Sequence, residues 1–208
     1  MVLNRDNGML GKGKKYVIPN IQEEAEMLEW AGISFGEEET YKLGKSIKRL
    51  AVMSGAGALK FVGKMYGTQK DYWLASGVLI PGEESMVSAN CEKRGEGVNK
   101  FVFWVTDNLL NDWIQLPDCK PEHIQGARMI QHVLTGDLNA DIDSNPSFPG
   151  KERHFLRAQL ARIFAATSIV PKGLVEYDEE TKEVKFAEDF AIPATEELKN
   201  PEAWGNLL

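Results

Sequence analysis

Residues 58–80, ALKFVGKMYGTQKDYWLASGVLI, decide the fold. Two runs rich in aromatic and aliphatic side chains, 58–66 and 72–80, flank Gly67-Thr68-Gln69-Lys70-Asp71. Short β-forming runs separated by a few turn residues read as a hairpin. Phe101 to Thr106 reads as a third strand. Phe101, Phe103 and Val105 point one way, and Val102, Trp104 and Thr106 the other. Both faces are largely apolar, as expected of a central strand. Trp113 to Leu116 reads as a short fourth strand, ended by Pro117.

The texture on either side of the strands is helical. Asn20 followed by Glu23 has the spacing of a helix N-cap with a reciprocal carboxylate. That helix runs through Glu24, Met27, Leu28 and Trp30 and stops at Gly32. A second helix starts in Glu37-Glu38-Glu39, where acids favour the positive end of the helix dipole. Tyr41, Leu43, Ile47, Leu50 and Ala51 are its apolar positions, and Gly55 and Gly57 end it. Pro121 opens a third helix, with His123, Ala127, Ile130 and Leu134 on one stripe and Gly136 closing it. After an Asp-, Asn- and Pro-rich loop, a stronger helix spans Glu152 to Ser168, burying Leu156, Leu160, Ile163, Phe164 and Thr167. Leu174–Tyr177 and Val184–Phe186 form a last hairpin.

The order helix, helix, strands, helix, helix, hairpin opposes a regular βαβ repeat. It predicts an α+β fold: a mainly antiparallel sheet with several flanking helices. Residues 1–18 read as a flexible N-terminal arm, 19–187 as a single core domain and 188–208 as an acidic C-terminal tail.

Composition narrows the function classes. The 208 residues are 43% hydrophobic and 26% charged, ordinary values for a soluble globular protein. A chain of this length buries roughly 70% of its unfolded surface, enough for a core without staples. The net charge of -7 opposes general nucleic-acid binding, which needs cations to displace counterions from phosphate. The one dense basic cluster is Lys12, Lys14 and Lys15. No apolar run reaches membrane-span length, and the polar, Gly-rich start carries no secretory h-region. Cys91 and Cys119 make no zinc site or disulfide framework and read as free thiols. The expectation is an intracellular protein with no nucleic-acid or membrane partner.

A search for chemistry returns little. At about 100° per residue, His123 and His132 lie on opposite sides of their helix and cannot share one ion. His123 reads as a core-edge residue, His132 as solvated, and His154 as lacking a local partner. Asp137, Asn139 and Asp141 alternate like the start of a calcium loop, but Ile142 and Phe148 stand where the turn glycine and the bidentate glutamate belong. Gly11-Lys12-Gly13-Lys14-Lys15 lacks the Walker spacing. Arg153 and Arg157, one helical turn apart, could grip a carboxylate. In so acidic a chain Arg157 and Arg162 read as ion-pair anchors. No catalytic, metal or cofactor-binding residue is assigned, and no cofactor is expected. A small-molecule enzyme with a pocket near His154 and Arg157 is the alternative. The aromatics Trp73, Trp104, Trp113, Phe61, Tyr66, Tyr72, Phe101 and Phe103 are expected mostly in the core, with part of the sheet presenting an interface.

Six strings together resemble one family. They are YVIPNIQEEAEMLEWAGISFGEEETYKLGKSIKRLA (16–51), LKFVGKMYGTQKDYWLASG (59–77), NKFVFWV (99–105), WIQLP with ARMIQHVLTGDLNADI (113–117 and 127–142), and PSFPGKERHFLRAQLARIFAATSIVPKG (146–173). The sequence resembles the radial spoke head protein 4/6 family. Its motif residues match Gly63, Lys64, Gly67, Asp71 and Tyr72 in the hairpin. In the loop-helix unit they match Pro149, Gly150, Leu156, Arg157, Ala158, Gln159, Ala161 and Arg162. The family's Phe-Trp-Gly has Val62 in place of Trp here. Members are often more than twice as long and commonly carry an acidic insertion where this chain has residues 81–97.

The resemblance implies a non-catalytic structural subunit of the radial spoke head, in the cytoskeletal axoneme of motile cilia or flagella. The implied partners are a radial spoke head protein 9 type subunit, a paralogous 4/6-type subunit, other head and stalk proteins, and the central pair apparatus. Gly63, Lys64, Tyr72, Trp73, Trp104, Arg157, Gln159 and Arg162 are the candidate motif or interface residues.

Overall fold

The hairpin forms where the sequence places it. The structure, a computed structural model, describes residues 5–9, 15–30, 32–79, 91–92, 94–95, 97–167, 169–178, 183–187 and 189–206. Strand β3 (Ala56–Met65) pairs antiparallel with β4 (Tyr72–Leu79). β4 pairs with β5 (Val102–Thr106), and β5 with the short β6 (Ile114–Gln115). Every residue of β5 is buried, as a strand apolar on both faces requires. The register slips between Phe61↔Ala75 and Gly63↔Leu74, leaving Val62 unpaired as the extra residue of a bulge. Gly63 beside it has φ 150°, a conformation that side-chain-bearing residues rarely adopt.

Residues 5–9 and 15–18, expected within a flexible arm, lie in strands. β1 (Arg5–Met9) pairs antiparallel with β2 (Lys15–Pro19), which meets β3 in parallel at Val17↔Ala58. Glycine and lysine content suggested an arm. The β-branched pair Val17-Ile18 prevails, and Ile18 is buried in the core. The sheet therefore has six strands in chain order, all antiparallel except at that one contact.

Helices α1 (Ile21–Trp30) and α2 (Glu37–Ser54) follow β2. Leu43, Ile47, Leu50 and Ala51 recur at helical spacing and pack with Leu59, Trp73, Ala75, Val102 and Trp104. Phe35, Phe61 and Trp113 close the margin of this core. Burying each large side chain contributes on the order of 2 kcal/mol. Tyr41, expected on the apolar face of α2, is exposed.

Helix α3 (Pro121–Met129) is shorter than the stripe through Leu134 predicts. Backbone N–H groups of Thr68, Gln69 and Lys70 donate to the carbonyls of Leu134 and Thr135, holding that segment extended against the hairpin turn. Helix α4 (Glu152–Thr167) buries Leu156 and Leu160 as expected, but leaves Ile163 and Thr167 exposed.

Two compact units divide the chain, Met1–Gln159 and Leu160–Leu208. The second holds the remainder of α4, the antiparallel pair β7 (Ile169–Pro171) and β10 (Trp204–Asn206), the expected hairpin β8 (Val175–Asp178) and β9 (Glu183–Phe186), and the short α5 (Thr195–Leu198). Trp204 donates its indole N–H to the Leu198 carbonyl at 2.9 Å. The β7–β10 pair joins segments more than thirty residues apart, which no local pattern announces.

Candidate functional site: two buried charges on one helix

Helix α4 carries a carboxylate and a guanidinium into the interior of the first unit. Glu152, in its first turn, is fully buried. Its Oε1 accepts from the Tyr72 hydroxyl at 2.8 Å and the Gly136 N–H at 3.0 Å. Its Oε2 accepts from the Thr135 N–H at 2.8 Å and the Thr135 hydroxyl at 2.9 Å, and lies 3.1 Å from His132 Nε2. Burial alone would raise its pKa. The donors on Thr135, His132, Tyr72 and Gly136 outweigh burial and hold it below the usual carboxylate range. Burial, then the hydrogen bond and charge of Glu152, push the Tyr72 phenol far above its ordinary value.

The hairpin turn locks onto this cage. Gly136 has φ 96°, and a Cβ there would meet the Lys70 carbonyl oxygen at 2.3 Å. A Cβ on Gly67 would meet that same oxygen at 2.1 Å and Gly136 N at 3.1 Å. Both positions need glycine because two backbones touch.

Arg157 is 3% exposed. Its Nη2 donates to the carbonyls of Val98 (2.9 Å) and Phe101 (3.3 Å) and to Asn99 Oδ1 (3.0 Å). Its guanidinium stacks 4.8 Å from the Phe103 ring centroid. Asn99 extends the node: its Nδ2 donates to the Glu92 and Cys119 carbonyls and its Oδ1 accepts from the Cys119 N–H. Burial lowers the pKa of Arg157 and raises that of the Cys119 thiol. The expected ion pair at Arg157 is replaced by carbonyl acceptors and an aromatic face. These acceptors hold Nη2 without burying a second charge, while the buried Nη1 has no hydrogen-bond partner among the described residues.

The other candidate residues separate. Lys64 lies 3.3 Å from Asp71, 4.0 Å from Glu39 and 4.8 Å from the Trp73 ring centroid, a half-buried cation between acids and an aromatic. Trp73 packs on Phe35 and Phe61. Tyr72, Trp73, Trp104 and Arg157 are each at most 4% exposed, so they are core residues of this chain and present no partner-facing surface. Gln159 donates to the Ala127 carbonyl at 3.3 Å. Arg162 is half-buried.

The histidines also differ from expectation. His132 lies beyond the end of α3, mostly buried against Glu152 rather than solvated. His154, expected without a partner, lies 4.7 Å ring to ring from His123, and its Nδ1 accepts from the Lys151 N–H. Burial lowers the pKa of both His123 and His154. They line a cavity of about 320 Å³ with Cys91 and Lys120, and Arg157 does not line it. The pocket imagined around His154 and Arg157 is therefore not assembled. In the calcium-like loop, Asp137 caps the Asn139 N–H, Asp141 pairs with Lys151 and Asn139 receives Arg153. These side chains are committed within the chain. Among the described residues no three His, Cys, Asp or Glu side chains converge as metal ligands. No helix among them is long and apolar enough to cross a membrane.

Glu152 and Asn99 are the two hubs that sequence reasoning missed. The local signal for Glu152 was a glutamate opening a helix two residues after Gly150.

The radial spokehead-like protein family matches residues 6–92 and 84–205, which include the hairpin, the Asn99 node and the Glu152 cage. The chain belongs to this family. Flagellar radial spoke protein 4 of Chlamydomonas reinhardtii is 32% identical over 86% of the chain and 43% of its own length. Radial spoke head protein 6 homolog A of Xenopus tropicalis is 28% identical over 90% of the chain and 42% of its own. Radial spoke head protein 4 homolog A of Homo sapiens is 32% identical over 80% of the chain and 28% of its own. The chain thus spans less than half the length of these radial spoke relatives.

Proposed function

We propose that this chain is a non-catalytic structural subunit of the radial spoke head, in the axoneme of motile cilia or flagella. It contributes to head assembly and, through contact with the central pair, to control of motility. The observation that carries this reading is the family match across both the hairpin and the loop-helix unit. The interior chemistry agrees with it. Both carboxylate oxygens of Glu152 and Nη2 of Arg157 tie β4, the 97–101 segment and the 132–136 segment to α4, which is the work of a scaffold. Its partners are the radial spoke head protein 9 type, a paralogous 4/6-type subunit and the other head and stalk proteins.

Expression of the tagged chain in a ciliated cell, followed by axoneme isolation and salt extraction, tests this. Co-extraction with spoke head proteins is expected. Recovery of the chain away from axonemes would overturn it.

A further inference from the structure

Among the described residues, nothing covers the outward face of helix α1. Ile21 and Ala25 turn inward and are buried. At about 100° per residue, Trp30 lies opposite Ile21, with Glu23, Glu26 and Met27 within about 60° of it. Trp30 is 96% exposed and Met27 38%. The helix closes with Gly32 N–H to Glu29 O and Ile33 N–H to Leu28 O, and Ile33 again faces solvent. Every charged residue from Asn20 to Tyr41 is a glutamate. Glu38 and Glu39 have Lys42 and Lys64 nearby, whereas Glu23 and Glu26 have no cationic partner among the described residues.

An exposed tryptophan flanked on its own helical face by carboxylates without a cationic partner among the described residues has a defined complement. The indole is the best aromatic surface for a lysine or arginine side chain; Glu26, one turn away, favours the same cation, and Glu23, two turns away, favours a second. Tryptophan is also the residue that most concentrates binding energy at an interface. A second copy of this chain fits poorly, because two such faces would oppose carboxylate to carboxylate in a molecule of net charge -7. We propose that the outward face of α1 docks a basic amphipathic segment of another protein. Trp30 and Met27 receive its apolar side chains and the stems of its lysines or arginines, and Glu23 and Glu26 pair with those cations. This rests on one helix face and stands apart from the spoke head assignment.

The test uses the 208-residue chain and fluorescent helical peptides in an anisotropy titration. A leucine/lysine peptide is the probe, with leucine/glutamate and serine/lysine peptides as comparisons. The leucine/lysine peptide is expected to bind best. W30A is expected to weaken it about tenfold or more. E23Q/E26Q is expected to weaken it and flatten its salt dependence. E196Q/E197Q, on exposed α5, is expected to behave as wild type. Trp30 is so exposed that W30A keeps the wild-type circular dichroism and melting point, which separates lost docking from lost folding. No binding by the leucine/lysine peptide, equal binding by either comparison peptide, or unchanged affinity in both W30A and E23Q/E26Q overturns the proposal. So does sedimentation in which W30A splits a wild-type dimer, since that assigns the face to a second copy.

Discussion

The Tyr72 hydroxyl donates to Glu152 Oε1 at 2.8 Å across eighty positions of sequence, joining the first residue of β4 to the first turn of α4. Tyr72→Phe removes that donor and leaves the ring in place. A loss of about 1.5–3 kcal/mol is expected, the range for a hydrogen bond to a charged group. Urea unfolding with an unchanged slope checks it. Glu152→Ala should cost more, because the Thr135 and Gly136 N–H groups lose their acceptor as well.

Acid should unfold the protein in two stages. His123 and His154 have folded pKa values below their unfolded value of about 6.5. The unfolded chain therefore binds those protons more readily, and stability falls as pH drops through that value and below. Glu152, also lowered, contributes stability above its unfolded value of about 4.3 and loses it as pH falls further. In thermal melts from pH 8 to 3, His123→Leu should flatten the upper stage and Glu152→Gln the lower.

Arg157→Lys is not a conservative change here. An ammonium lacks the planar face that the guanidinium lays 4.8 Å from the Phe103 ring centroid, and a lysine stem stops short of the point where Nη2 meets the Val98, Asn99 and Phe101 acceptors. A loss of about 2–4 kcal/mol is expected, in the range for breaking a buried polar network. Hydrogen exchange should rise at residues 97–101 before it rises in β4.

Gly63→Ala tests the bulge. Open space surrounds its Cβ position, so crowding does not enter, but φ 150° is unfavourable for alanine. A cost of about 1–3 kcal/mol is expected from the backbone alone. Equal stability of the two proteins would show that the bulge relaxes freely.

Local pattern made some elements legible and long-range pairing concealed others. The hairpin, β5, α2 and α4 follow from apolar spacing within single segments, because each buries a face set by its own period. The end of α3 does not, since carbonyls of Leu134 and Thr135 are claimed by donors from Thr68 to Lys70. The same segment puts His132 beside Glu152, so the placement of a helix end carried the placement of the site. Arg157, expected as an ion-pair anchor beside Arg153, instead meets carbonyls, an amide oxygen and an aromatic ring. Carbonyls leave no mark in a sequence that a carboxylate-seeking argument could find.

The contact of Gly67 and Gly136 with the backbone at Lys70 also bears on how the protein can be handled. The tip of a β-hairpin is an ordinary place to splice an epitope or a fluorescent reporter. In this chain the tip is the keystone over the Glu152 cage, and a splice there would be felt across the sheet. The exposed α5 offers a graft site that leaves the keystone alone.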